Sequence, residues 1–508
     1  MSFFIPSLSR GAYWISVGLP SKLGGSGICI RTNRVFLLTS PLWCEGTIQV
    51  NFAKPFKGES TMNKTRRISI TLLLGLFLGA GSYTYAAHQE PCFQQTEVAH
   101  SITSSGLKGV QWARLCMAKY PEILWLADEN VRKTEEATAS LQGTYSEQLF
   151  GKKFIEFDRT LMTLHCLRLI LEGGDQAYQE FTHAQPAHAK LSRNSFDKLH
   201  QQGVSLLRSM SPMSEQEVRQ AMEASLVLGD IGKSERAREF FKPYGAKAPD
   251  HDDFHGEVMQ ILQTHPELCP TFNQLSAQGK QLLIQTANLA HYGHITHLEG
   301  GPSMFSGLKE SNLPSTSVVA LAFDFFVHTC DVSGALGHVN NQSSLVYTEL
   351  SHRAMQKVFE SCNVLADPCK TEIDAYNYYL EARASWLGLN PYDRTDRVLT
   401  RMGAMLRLFT PEEGSVLKTA VSKLPLEVQA KIIEHLDIQK GEELERTPTY
   451  MPAVLVNLAN NPALGNSTEE RISQAVILGL PFIARVLETH KLHLESLTAD
   501  CATSLNFN

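Results

Sequence analysis

The stretch Leu226–His255, LVLGDIGKSERAREFFKPYGAKAPDHDDFH, concentrates side chains able to do chemistry. It reads as a helix end, Asp230 at a tight turn, Gly232-Lys233, and an acidic loop holding His251 and His255. Carboxylate and imidazole ligate divalent cations, and an ammonium beside them would meet a phosphate as a point charge. Upstream, His200 sits beside Leu199 on SFDKLHQQGVSLLRSM, where it could face inward. Downstream, His291, His294 and His297 recur every three residues, which places neighbouring imidazoles on one helical face. Asp324, His328 and Asp331 then stand at i, i+4 and i+7 on the apolar run SVVALAFDFFVHTCDVSGALGHV. A carboxylate on so apolar a helix is costly unless paired or metal-bound. Helix capping accounts for one or two of Asp250, Asp252 and Asp253, but not for the two histidines among them.

These residues need helices to position them. Apolar positions in KKFIEFDRTLMTLHCLRLILEGG follow a period of 3.6 and stop at Gly173-Gly174. His165 on that helix reads as a satisfied core histidine. Ser214-x-x-Glu217 is a capping box, and Gly229 and Gly232 end the helix it opens. Thr410-Pro411-Glu412-Glu413 and Ser467-Thr468-Glu469-Glu470 open two more. Strand-like alternation is nearly absent, so the expected fold class is all-α. The expected organisation is an N-terminal helical region over 87–194, a metal-site core over 195–340, and a C-terminal helical region over 341–508. No G-x-S-x-G, Walker A, G-x-G-x-x-G or H-E-x-x-H motif occurs.

The order of these residues resembles the HD-domain superfamily of all-helical, metal-dependent phosphohydrolases. LVLGDIGKS resembles its LLHDIGK stretch, and DHDDFHGEVMQIL resembles the helix that follows; the likeness covers about residues 195–335. It implies His200, Asp230, His255 and Asp331 as metal ligands, with His291 or His294 completing a second metal, and Lys233 near the phosphate. The ion would be Mn, Zn, Ni or Fe, and the partner a small phosphorylated substrate. Gly229 departs from the family, which has the histidine of its His-Asp pair there; His251 or a water would substitute. The resemblance therefore also admits an inactive binding protein, and a di-iron oxygenase using the same ligand set. A weaker resemblance, to cyclic-nucleotide phosphodiesterases, would use His297, His328, Asp331 and His338.

Hydrophobic content of 43% and charged content of 19% are those of a globular protein, and a formal charge of −6 argues against nucleic acid as a partner. From Met62, Lys64, Arg66 and Arg67 precede the apolar run Ile68–Gly81, and Thr84-Tyr85-Ala86 offers small residues for cleavage. Residues 62–86 thus read as a bacterial-type signal peptide, leaving no stable membrane span after its removal. Lys57-Gly58-Glu59 back-translates to codons able to contain AGGAG, a ribosome-binding sequence, a few nucleotides before the Met62 codon. Residues 1–61 are accordingly read as an upstream extension from a misassigned start. The expected location is exported, periplasmic or secreted. Eight cysteines follow Ala86, and Cys362 and Cys369, flanking Asp367-Pro368, are the best local disulfide pair. N-terminal sequencing of the exported form should find a start near Ala87; retention of Ser2 to Met62 would refute this reading.

Overall fold

Helices begin where a side chain can satisfy the free amides of the first turn. The computed structural model describes residues 109–127, 143–437 and 451–496. The expected extension over 1–61 and the signal peptide over 62–86 lie outside the described residues, as do Cys92 and Cys501. Among the described residues the regular elements are helices, and the fold class is all-α. The first group is α1 (Gly109–Lys119), α2 (Tyr145–Phe150), α3 (Ile155–Glu172), α4 (Gly174–Thr182), α5 (Arg193–Ser209) and α6 (Glu215–Gly229). A short 3-10 turn, Ile231–Lys233, leads to α7 (Glu235–Phe241), α8 (His251–Thr264), α9 (Pro270–Asn273), α10 (Ala277–Thr286) and α11 (Tyr292–Thr296). Then come α12 (Ser306–Ser311), α13 (Leu313–Thr316), α14 (Val318–Gly334), α15 (Glu349–Asn363), α16 (Glu372–Leu387) and α17 (Arg394–Met405). The last group is α18 (Pro411–Ser422), α19 (Leu426–Leu436), α20 (Met451–Asn460) and α21 (Thr468–Ser496).

The expected caps form. Ser214 accepts from the Glu217 amide, and the Glu217 carboxylate accepts from the Ser214 amide at 2.8 Å. Thr410 and Glu413 make the same exchange, with Pro411 in the first turn of α18. Gly173, at φ 64°, ends α3 where the glycine pair predicts a stop. His165 is buried, with Nδ1 3.0 Å from Arg168 and its ring edge-on to Trp112.

The cores do not follow the expected boundaries at 195 and 341. One apolar core gathers residues from Trp112 to Leu380 together with Ala404, and a second runs from Ala384 to Leu487. The reason is long-range pairing: α14, from the middle of the chain, packs along α3, from the expected N-terminal region. The fit depends on Gly334 and Gly337. A Cβ on Gly334 would lie 2.6 Å from the Thr163 methyl and 2.7 Å from its Cα. Arg401, 1% exposed, ties the two cores by donating to the carbonyls of Leu298, Glu299 and Leu436 at 2.9–3.0 Å. In α21, the segment Thr468–Thr489 is long and apolar enough to cross a membrane, and its stripe Ile472, Val476, Leu480, Ile483 and Leu487 is buried in the second core.

The Cys362–Cys369 disulfide does not form. Cys362 is buried on α15, Cys369 is exposed in the following turn, and both are free thiols. The short connection places the two side chains in different environments, which the flanking Asp-Pro turn alone could not reveal.

Gly334→Ala should destabilise the protein by about 1–3 kcal/mol through overpacking. Gly229→Ala is the control, because a Cβ there meets nothing within 4 Å; it should be neutral, or stabilising by up to about 1 kcal/mol from helix propensity. Urea melts of the two variants against the parent protein check both outcomes.

Candidate functional site

The turn after α6 and the start of α8 are locked together by a glycine. A Cβ on Gly232 would lie 3.0 Å from the carbonyl carbon of His251, so only glycine permits this approach. Arg238 braces the same corner, donating to the Gly232 carbonyl at 2.8 Å and to the Ala248 carbonyl at 2.7 Å. On α8, Asp250 caps the helix, accepting from the amides of Asp252 and Asp253. This is the capping role expected for one of the three aspartates. The polar face of α14 closes the site from another direction.

Between these elements lies a cavity of about 150 Å³. Asp230, Asp252, His255, His291, Asp324, His328 and Asp331 line it, against an apolar wall that includes Leu226, Met259 and Val327. Among the described lining residues there is no Lys or Arg. The i, i+4, i+7 reading of α14 is therefore correct as geometry: all three polar residues face one space.

Of the residues named from sequence, Asp230, His255, His291 and Asp331 meet at this cavity. His200 does not. Its Nδ1 lies 2.9 Å from the Ile170 carbonyl, its ring packs on Gly173, and it lines a separate groove with Val204 and Arg208. The helical face carrying Leu199 inward turns His200 toward the end of α3 instead. His294 is beside the cavity, its ring centroid 5.4 Å from that of His291 and its Nδ1 3.6 Å from Glu299. His251 stands at the mouth, its Nε2 3.3 Å from one oxygen of Asp252, whose other oxygen is 3.6 Å from His291 Nε2. Of the phosphodiesterase-like set, His328 and Asp331 reach the cavity, while His297 and the buried His338 are not among its lining residues.

The described donors do not form one tight cage in the deep cavity. Among the described residues, the group of three donors lying within 4.8 Å of one another is Asp250, His251 and Asp252, at the mouth. The deeper donors share a space without touching a common point that closely.

Lys233 is engaged with carboxylates: its Nζ lies 2.7 Å from Asp230 and 3.2 Å from Glu156 of α3. Burial alone would raise the Asp230 carboxyl, but the charges of Lys233 and Arg159 outweigh it and hold it below the usual carboxylate range. Asp331 goes the other way, to about 6, through burial and then the neighbouring Asp230 charge. Burial pushes Asp324 to about 7, although its 2.7 Å hydrogen bond from the Tyr292 hydroxyl opposes the shift. Burial keeps His255 and His294 below the usual histidine range and takes His328 to about 3, so these imidazoles are neutral with lone pairs to offer.

Sequence reasoning missed Glu156, Tyr292 and Asn288. Asn288 is in the left-handed region at φ 58° and donates to the Asp252 carbonyl at 2.7 Å. Its Nδ2 would lie 2.5 Å from a Cβ on Gly256, so that glycine makes room for it. The sequence signal was the Gly256 just after His255. Glu156 carried none, being 77 positions from the lysine it meets.

Asp324 has a folded pKa of about 7 against an ordinary 3.8. Between those values the unfolded chain has released the proton and the folded one keeps it, so folding stability falls as pH rises through this window. Asp324→Asn should stabilise the metal-free protein by about 1–3 kcal/mol near neutrality, with little gain below pH 4. Thermal melts across pH 4–8 check this; a gain independent of pH would refute it.

No curated protein and no solved structure matches the chain. Residues 120–502 match the model of a family described as a family of unknown function (DUF6829). That match takes in the whole cavity, the second core and the first core from Tyr120 onward, and the chain belongs to that family.

Proposed function

We propose that the protein is an exported, HD-like, metal-dependent phosphohydrolase acting on a phosphoester or nucleotide. One observation carries this reading: four aspartates and three histidines line a single cavity with no described lysine or arginine among them. Such a donor set calls for positive charge, and the neutral imidazoles of His255 and His328 beside carboxylates suit a divalent Mn, Zn, Ni or Fe ion. Asp331 supports the fit, because its carboxyl is raised in part by the charge of Asp230. A bound ion would supply an acidified water and polarise a phosphoryl oxygen.

The chain's own residues have assignable parts. Asp230, His255, His291 and Asp331 would hold the ion, with His251 and Asp252 at the mouth. Lys233 keeps Asp230 ionised. Asp324, with a pKa of about 7, can hold or release a proton beside the cavity near neutral pH. The apolar wall limits water.

Gly229 favours a second reading, a binding protein without turnover. It lines the cavity with no side chain, at the position where the resemblance expects a ligand. The space beside it is open and its φ is not positive, so backbone strain does not bar a larger residue.

Metal analysis of the purified protein, followed by assays on p-nitrophenyl phosphate and nucleoside phosphates, tests both readings. The hydrolase reading expects one or two Mn, Zn, Ni or Fe ions per chain, activity lost on chelation, and a loss of at least about 100-fold in Asp331→Asn. Gly229→His should retain metal more tightly. Metal binding without activity would leave the binding reading. Two irons per chain with oxygen consumption would replace hydrolysis by oxygen chemistry, and a chain that takes up no metal would leave only the binding reading.

A further inference from the structure

Tyr292, at the start of α11, holds one oxygen of Asp324. Its hydroxyl donates to Oδ2 at 2.7 Å. The Tyr292 ring is fully buried and meets Phe325 and His328 edge-on, each pair with centroids 5.2 Å apart. A phenol packed between two rings of α14 is fixed in direction, and its hydroxyl has one place to go. Burial and the Asp324 charge hold it well above the ordinary tyrosine range, so it stays a donor.

Asp324 is a different kind of carboxyl from the other two aspartates it shares the cavity with. Asp230 and Asp331 lie in the field of Lys233 and Arg159. Asp324 stands seven residues before Asp331 on the same stripe of α14, about 10 Å of helical rise away. Burial and the bond from Tyr292 are what set its proton affinity. Among the described residues, its carboxyl takes no hydrogen bond other than the one from Tyr292, and the residue lines the cavity. A carboxyl whose Oδ2 accepts a hydrogen bond carries its own proton on Oδ1. Tyr292 therefore decides which oxygen is the donor. Oδ2 is tied to a buried phenol, and Oδ1 is left for a ligand in the cavity. The proton and the Asp230–Asp331 pair thus sit at two places along one cavity. That is the arrangement an ester needs if its phosphoryl oxygens and its leaving oxygen are handled by different groups.

We propose that Asp324 is the general acid for the leaving oxygen of an alkyl phosphomonoester, and that Tyr292 is the positioning residue that aims its proton. The proposal rests on the phosphohydrolase reading above and narrows its substrate class. A water oxygen forms the new bond to phosphorus, and the bond from phosphorus to the ester oxygen breaks. The electron pair of that bond stays on the ester oxygen, which takes the Oδ1 proton of Asp324 and leaves as a neutral alcohol. The attacking water keeps one hydrogen on the phosphate formed and gives up the other, which returns Asp324 to its acid form. An alkoxide is too basic to leave unprotonated, so an acid in this place matters most for alkyl esters. Aryl esters and phosphoanhydrides have leaving groups stable enough to depart as anions, and gain little from it.

The test compares kcat/KM for ethyl phosphate and p-nitrophenyl phosphate, using the full chain as purified. In Asp324→Asn the loss on ethyl phosphate should exceed the loss on p-nitrophenyl phosphate by about 30-fold or more. In Tyr292→Phe, which keeps the acid but not its aim, the same ratio should be about fivefold. A purely structural role for either side chain lowers both substrates alike. Difference infrared spectra of metal-free protein at about pH 5, below the Asp324 pKa of about 7, read the arrangement without turnover. The parent should show a protonated-carboxyl carbonyl band that is missing from Asp324→Asn. In Tyr292→Phe the band should move to higher frequency, because a hydrogen bond on Oδ2 weakens that carbonyl. Equal losses on the two esters, or a band unmoved by Tyr292→Phe, would overturn the proposal and leave the hydrolase reading standing. No turnover of any phosphoester would remove the acid step together with that reading.

Discussion

The contact between α3 and α14 sets the rest of the structure. Gly334 and Gly337 let α14 lie directly on the α3 backbone around Asp158–Thr163. Interiors packed at crystal-like density transmit such a contact without slack. With that end of α14 pinned, the earlier turns carrying Asp324, His328 and Asp331 are fixed in height and rotation. The same contact brings the start of α3 beside the turn after α6, so Glu156 and Arg159 act on Asp230, Lys233 and Asp331. One helix pair thus supplies both a wall of the cavity and the charges that tune it.

That tuning separates like groups. Asp230 and Asp331 are both aspartates at one cavity, yet one is held ionised and the other is raised toward neutrality. The difference lies in position: Lys233 is 2.7 Å from Asp230, while Asp331 faces the Asp230 charge. Asp324 is set apart again, by burial and by Tyr292. Environments that push equivalent side chains apart are how one site comes to hold both a ligand and a proton donor. His255, His294 and His328 follow the opposite arithmetic, since burial favours their neutral form and leaves their lone pairs free.

A buried cation bonded to backbone carbonyls helps to join the second core to the first. Arg401 reaches Leu298 and Glu299 on one side and Leu436 on the other. Glu299 in turn faces His294 at the edge of the cavity. Arg383 grips the turn after α17 in the same manner.

The sequence determined what is local. Period-3.6 apolar positions, capping boxes at Ser214 and Thr410, and the glycine stop at Gly173 specify helices because helix formation depends on residues within a turn or two of each other. The alignment of Asp324, His328 and Asp331 on one face was legible for the same reason. Asp230, His255, His291 and Asp331 could be named together from sequence, but the cavity they share could not. Tertiary packing decided what depends on distant pairs. It turned His200 toward Ile170, bound Lys233 to Glu156, separated Cys362 from Cys369, and brought Arg353 of α15 and Arg383 of α16 to the ring of Trp386. It also ran one core through the boundary expected at 195, because α3 and α14 bury their apolar faces on each other and no local pattern encodes a partner about 160 residues away along the chain.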